Sequence, residues 1–186
     1  MVSRRFFLAG FSSLLATPVT FAATEHPSVV YMRQVGRDFL NAHRQGTVSA
    51  FMRAVQRHGD IPSIADYSLG SYQLPSGQRQ RYYRGVANFI ARYFAQQSQE
   101  YRIAKFEVGD ASAVSEREIF VGSTVYLLSG QTYTVGWRLI WKGGRYRVVD
   151  AKVLGFSLTY MQRNIFTDFI SKRNGNVGDL VVALNH

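Results

Sequence analysis

Asp66 and Asp150 are the acidic side chains set in strongly apolar stretches of this chain. A carboxyl group buried in such surroundings has a raised pKa and can serve as a general base. Catalysis needs a constellation, and the partners are missing. The histidines, His26, His43, His58 and His186, fall near the N-terminus, at predicted helix ends and at the last residue, away from the predicted strands. No His-x-x-x-His pair, Gly-rich phosphate loop or Gly-x-Ser-x-Gly elbow is present. The absence of cysteine removes thiolate metal sites, a cysteine nucleophile, a lipid-modified N-terminal cysteine and any disulfide framework. Asp66 reads as a cap or brace of a short helix, and Asp150 as closing a strand end through backbone hydrogen bonds. The expectation is therefore no catalytic residue, no metal and no cofactor, with a small α+β enzyme using Asp150 or Asp66 as the less favoured alternative.

What the chain has in quantity is aromatic surface: 13 Phe, 11 Tyr and 2 Trp. Such a composition suits either a bulky core or a wide apolar cavity, so the elements that carry it decide. Helical spacing dominates the first half. Met32, Val35 and Phe39 mark one face of a segment from Pro27 to Arg44, and Thr47 can cap a second helix in which Val48, Phe51, Met52 and Val55 recur at helical intervals before Gly59. A short helix is expected within Asp60–Tyr72. Pro75, Ser76 and Gly77 then open the longest helix, about Gln78 to Ser98, whose apolar stripe is Tyr83, Val86, Ile90, Tyr93 and Phe94.

After Glu100 the period changes from 3.6 to 2. Tyr101–Val108 and Glu118–Leu128 read as strands, and Ser129-Gly130 as a hairpin turn into Gln131–Trp141, where Tyr133, Val135, Trp137 and Leu139 share a face. Lys142-Gly143-Gly144 turns into Arg145–Val153, with Tyr146 and Val148 on one face and Arg145 and Arg147 on the other. Arg138, Arg145 and Arg147 thus mark the polar face of an antiparallel sheet. Helical spacing returns with Ile165, Phe166, Phe169 and Ile170, and a last short helix spans Asp179–Leu184. Helices, a meander, then helices predict an α+β domain, with a twisted antiparallel sheet and helices packed over one face.

The chain opens Ser3-Arg4-Arg5-Phe6-Phe7-Leu8 and carries no acidic residue as far as Ala23. Paired arginines, a short apolar run and small residues at Thr20 and Ala22 read as a cleavable, twin-arginine-like export signal over residues 1–22, leaving 23–186 as a single domain in the periplasm. The formal charge is +10 for the whole chain, and removing the signal takes Arg4 and Arg5 with it. In the cytoplasm this excess would point to nucleic acid; outside it, phospholipid headgroups and acidic protein surfaces are the anionic partners, and no nucleic acid is expected.

Taken in order, several segments resemble the MlaC-like family, the periplasmic phospholipid-binding component of an ABC lipid-transport system, also called the toluene-tolerance auxiliary family. They are Leu69-Gly70-Ser71-Tyr72 followed by Gln78-Arg79-Gln80-Arg81-Tyr82-Tyr83; Trp137-Arg138-Leu139 with Tyr146-Arg147-Val148-Val149-Asp150 after the Gly turn; Gly155-Phe156-Ser157-Leu158 leading to Tyr160; and Asn176-Val177-Gly178-Asp179-Leu180. The resemblance covers about residues 28–184. The chain departs from the family pattern at Leu154, usually acidic, at Tyr146, usually Trp, and in an approach to Leu69 that survives only as Ile61-Pro62 and Asp66. The resemblance implies a cavity between sheet and helices for phospholipid acyl chains, and a carrier passing lipid between an inner-membrane ABC transporter complex and an outer-membrane lipoprotein complex. The sheet face of Tyr133, Val135, Trp137 and Leu139, opposed by Tyr83, Val86, Ile90 and Phe94, is the expected lipid-binding wall, with Phe51, Val55 and Leu69 next to it. A hopanoid, sterol or aromatic solvent on the same fold is the alternative ligand, because an apolar wall accepts them all.

Overall fold

The computed structural model describes residues 25–113 and 118–186; the expected export signal lies outside them. The elements, in chain order, are α1 (Pro27–Gln45), α2 (Val48–His58), α3 (Ile61–Ser68), α4 (Arg79–Glu100), β1 (Ile103–Ala113), β2 (Glu118–Leu127), β3 (Thr132–Lys142), β4 (Arg145–Val153), β5 (Phe156–Ser157), α5 (Leu158–Ser171) and α6 (Val177–Leu184). All five strands join one antiparallel sheet in the order β1-β2-β3-β4-β5. This is the α+β arrangement that the change of period predicts. Helices come first because α1 to α4 carry short-range apolar repeats. The sheet follows as a meander because turns of two to four residues leave neighbouring strands nowhere to go but beside each other.

Local side chains set the element ends. Thr47 Oγ1 accepts from Ala50 N at 3.3 Å, and Ser157 Oγ accepts from Tyr160 N at 3.1 Å, each satisfying an orphan donor in a helix's first turn. Gly46, at φ 64°, closes α1 in the left-handed conformation open to glycine. The cap of α3 is Asp60, whose Oδ1 accepts from Ser63 N at 3.1 Å. Asp66 is therefore not the cap of this helix, but it does brace α3 against α4. Among the described residues, the buried carboxylates are Asp60 and Asp150, while Asp66 is exposed and accepts a 2.9 Å hydrogen bond from the Tyr83 hydroxyl. Burial pushes the Asp60 pKa up, but hydrogen bonds from Lys142 and Ser63 outweigh it and hold the group below the usual carboxylate range. Asp60 N also donates to Val148 O at 2.8 Å, so the α2–α3 junction extends the sheet edge that β5 is too short to cover.

The regular alternation expected for β4 is broken. Arg138 pairs with Asp150 but Leu139 pairs with Val148, so β4 carries one extra residue. The bulge lets Tyr146 and Val148, and after it Ala151 and Val153, all pack into the sheet's apolar cluster. On the polar face, Arg138 pairs with Glu118 at 3.4 Å and Arg147 donates to Arg57 O at 2.6 Å.

Three apolar clusters result. The sheet cluster packs Val121, Leu139 and Val135 against Met32 and Val35 of α1. A helical cluster joins Ile64, Tyr82, Val86, Phe166, Ile170 and Leu180. Small residues, Ala50 of α2 with Ala91 and Ala95 of α4, let those two helices approach closely around Phe51. Helix α4 is therefore packed on several sides.

Candidate functional site

Between the inner sheet face and helices α1, α4 and α5 the packing is incomplete, leaving a cleft with two lobes. The wide lobe, about 640 Å³, is walled by Val35 and Phe39 of α1, Phe94 and Gln97 of α4, and Val125, Tyr133 and Val135 of the sheet. The narrow lobe, about 120 Å³, is walled by Val55, Ile64, Phe89, Ile90, Met161 and Ile165. Phe39, Tyr93, Phe94, Trp137, Ala151 and Leu158 border both lobes and so stand between them. The ring pairs Phe39–Phe94 (centroids 5.4 Å apart) and Phe39–Trp137 (6.3 Å) build this partition, within the range of favourable aromatic contacts.

Several of the polar groups that reach the lining are held by partners within the protein. Trp137 Nε1 donates to Ser123 Oγ at 2.8 Å, and Ser123 Oγ to Val135 O at 3.2 Å. Gln162 Nε2 donates to Ser68 Oγ at 2.7 Å, and that hydroxyl donates to Ile64 O at 2.7 Å. Asp150 Oδ1 accepts from Thr159 N at 3.1 Å, giving α5 a second cap; the backbone hydrogen bond is as expected from the sequence, but it holds a helix start and does not close a strand end. His58 Nε2 lies 2.8 Å from Asp38 Oδ2, and Tyr31 Oη lies 3.3 Å from both His58 Nδ1 and His58 O. Burial pulls the His58 pKa down, and Asp38 offsets this only in part. His43, at the wide lobe, accepts from Ile103 N through Nε2 at 3.1 Å, and burial with the nearby Arg102 pulls its pKa down as well. The lining thus offers a guest aromatic and aliphatic surface, with no organised acid, base or nucleophile. Among the described residues, no group of three or more His, Cys, Asp or Glu is placed to hold a metal ion.

Of the residues expected to wall a cavity, Phe51, Val55, Ile90, Phe94, Tyr133, Val135 and Trp137 line the cleft. The others are placed elsewhere. Leu69 and Val86 are 5% and 0% exposed inside the helical cluster, and Tyr83 packs against that cluster's edge while bonding Asp66. Leu139 is 0% exposed and packed in the sheet cluster. Leu69, Tyr83 and Val86 share one reason, whereas Leu139 is sealed within the sheet cluster. The expected stripe on α4 runs through Tyr83 and Val86, but that part of the helix faces α3 and α6; only its C-terminal half, from Phe89 onward, borders the cleft. Phe39, Leu158, Met161 and Ile165 were missing from the expected wall. The sequence marks Phe39 as part of the apolar face of α1, and the i, i+3, i+7 spacing of Leu158, Met161 and Ile165 carries the signal for the rest.

Sheet, helices and cleft together define an α+β protein built around a two-lobed apolar pocket. The chain belongs to the MlaC family: the family model described as MlaC protein matches residues 33–186. Among solved structures it is similar to the phospholipid-binding protein from Ralstonia solanacearum, determined in complex with a phospholipid. The two share 22% identity at a TM-score of 0.68, over 87% of this chain and 95% of that one, which is a likeness of fold. No curated protein matches the chain.

Proposed function

We propose that the mature chain is a periplasmic phospholipid carrier, passing lipid between an inner-membrane ABC transporter complex and an outer-membrane lipoprotein complex without covalent chemistry of its own. The observation that carries this reading is the cleft between sheet and helices, lined mainly by aromatic and aliphatic side chains such as Phe39, Ile90, Phe94, Val135 and Trp137. Withdrawing hydrocarbon from a bilayer into water costs about 0.8 kcal/mol per methylene, hence on the order of 20 kcal/mol for two chains. Scattered surface aromatics cannot offset that; an interior pocket can, and a wide lobe of about 640 Å³ lies within the ~300–1,000 Å³ span of ligand pockets. Membership of the MlaC family and a fold shared with a phospholipid-binding protein support the same reading.

Native extraction of the mature protein followed by lipid mass spectrometry tests it. Co-purifying phospholipid is the expected result. A hopanoid, sterol or solvent in its place would reassign the ligand. A protein that emerges empty and takes no lipid from vesicles would defeat the carrier reading.

A further inference from the structure

Single apolar residues on a surface are ordinary; their concentration at one place is not. Among the described residues, the three most exposed large apolar side chains are Phe156 (70%), Leu128 (67%) and Leu154 (66%). All three sit at the same end of the sheet. Leu128 N donates to Arg102 O and opens the β2–β3 turn, while Leu154 N donates to Thr134 O at the start of β3. Leu154 and Gly155, at φ 51° and 87°, form the two-residue turn into Phe156. A leucine is rarely found in that left-handed conformation, so the turn holds an apolar side chain out at a conformational cost.

This end of the sheet is also the mouth of the wide lobe. Leu154 and the 44%-exposed Tyr101 line the lobe and face solvent at once, and Gln131 and Thr132 follow Leu128 into its wall. Leu154 thus joins the exposed β4–β5 turn tip directly to the pocket lining, and the Leu128 tip stands beside it at the same end of the sheet. The charged neighbours are Arg102, Lys152 and Lys105, against Glu100 and a Glu107 already paired with Lys105 at 2.7 Å. The chain as a whole carries a formal +10, and it stays strongly positive once Arg4 and Arg5 leave with the expected signal.

We propose that the β2–β3 and β4–β5 turn tips, Leu128 and Leu154–Phe156, are a membrane-docking surface that sets the cleft mouth directly against an anionic lipid bilayer. Positive net charge brings the protein to such a surface, and the tips enter the headgroup region. An acyl chain can then pass from bilayer to wide lobe without crossing water. The inference deepens the carrier reading and rests on it for the identity of the cargo, but docking is measurable by itself.

The test is flotation of the mature protein with vesicles of phosphatidylglycerol and phosphatidylethanolamine, comparing wild type with the double variant Leu128→Asp, Phe156→Asp. Neither residue lines the cleft. Trp141→Asp, a 53%-exposed aromatic at the far end of β3, is the control. The tip variant should lose vesicle binding by about tenfold or more, with its melting temperature and co-purified lipid unchanged, while the control binds like wild type. Wild type that ignores vesicles overturns the proposal. So does equal binding by the tip variant, which would mean attraction by charge alone, or equal loss in the control. If the tip variant slows lipid exchange only when an envelope protein is present, the tips are a protein contact and the bilayer is the wrong partner. A protein that emerges empty and takes no lipid from the vesicles, yet still floats with them, defeats the carrier reading and leaves the docking surface standing.

Discussion

His58 Nε2 lies 2.8 Å from Asp38 Oδ2, tying the end of α2 to the middle of α1 behind the narrow lobe. The imidazole is 3% exposed, and burial holds its pKa below that of a free histidine despite the adjacent carboxylate. His43 is shifted the same way, by burial and by Arg102. In the unfolded chain both titrate near about 6.5, so below that value the unfolded state binds more protons than the folded one. Stability is therefore expected to fall as pH drops from about 7.5 to about 5.5. Thermal melting across that range checks it, and the double variant His43→Gln, His58→Gln should flatten the profile. An equally steep profile in that variant would remove the histidines as its source. Asp38 cannot produce the same loss there, because hydrogen bonds from His58, Gln34 and Arg57 outweigh its burial and hold its pKa below the usual carboxylate range.

Tryptophan at two buried valines should separate pocket from core. Val135 lines the wide lobe, whereas Val86 is 0% exposed within the helical cluster. Val135→Trp is expected to reduce bound lipid with little loss of stability, because added volume enters a void. Val86→Trp should cost at least about 1–3 kcal/mol while lipid per folded molecule stays the same. Lipid content and denaturant melting, measured on both variants, decide the matter; matching losses of lipid and stability in the two would contradict the placement of the cleft.

Gly36, in the middle of α1, is occupied for a reason that helix propensity hides. A Cβ there would lie 2.2 Å from Cε1 of Phe106, a ring that lines the wide lobe. Alanine is worth up to about 1 kcal/mol more than glycine in a helix, yet Gly36→Ala should destabilise the protein, since the overlap costs more than the propensity gains. Adding Phe106→Leu should recover part of the loss. A Gly36→Ala protein more stable than wild type would show that the ring swings into the lobe freely.

Asp150 distinguishes a structural carboxylate from a catalytic one. Its Oδ1 accepts from Thr159 N, a role that needs an acceptor and no charge. Asp150→Asn should stay within about 1 kcal/mol of wild type and keep its lipid, whereas Asp150→Ala should lose about 1–3 kcal/mol by leaving the buried Thr159 amide unpaired. Chemical denaturation of both variants is the measurement. If Asp150→Asn abolished a measurable turnover while folding was intact, the enzyme alternative would be revived.

Much of the architecture was legible because its determinants are local. Thr47 and Gly46 mark a helix boundary by their own chemistry, and the change of period after Glu100 marks the start of the meander. Asp60 is not legible as a buried cap because Asp66 has the more apolar neighbours in sequence, whereas burial of Asp60 arises from its contacts with Val148 and Lys142, far along the chain. The β4 bulge was hidden for a similar reason: strand alternation is a property of one segment, and a bulge is a property of a pair.

The cleft is where the two kinds of information part. From its residues alone the chain determined a family resemblance, an α+β order of elements and a set of apolar positions that must leave water. Tertiary structure decided which of them face a void. Val86 and Ile90 lie one turn apart on α4, yet the first is sealed among helices and the second borders the narrow lobe. Trp137 and Leu139 share a face of β3, yet only Trp137 touches both lobes. Packing against a solid neighbour and roofing an apolar cleft both remove apolar surface from water, so both select the same residue types at the same spacing. The difference is in what stands opposite, which is fixed only when α1, α4 and α5 close over the sheet.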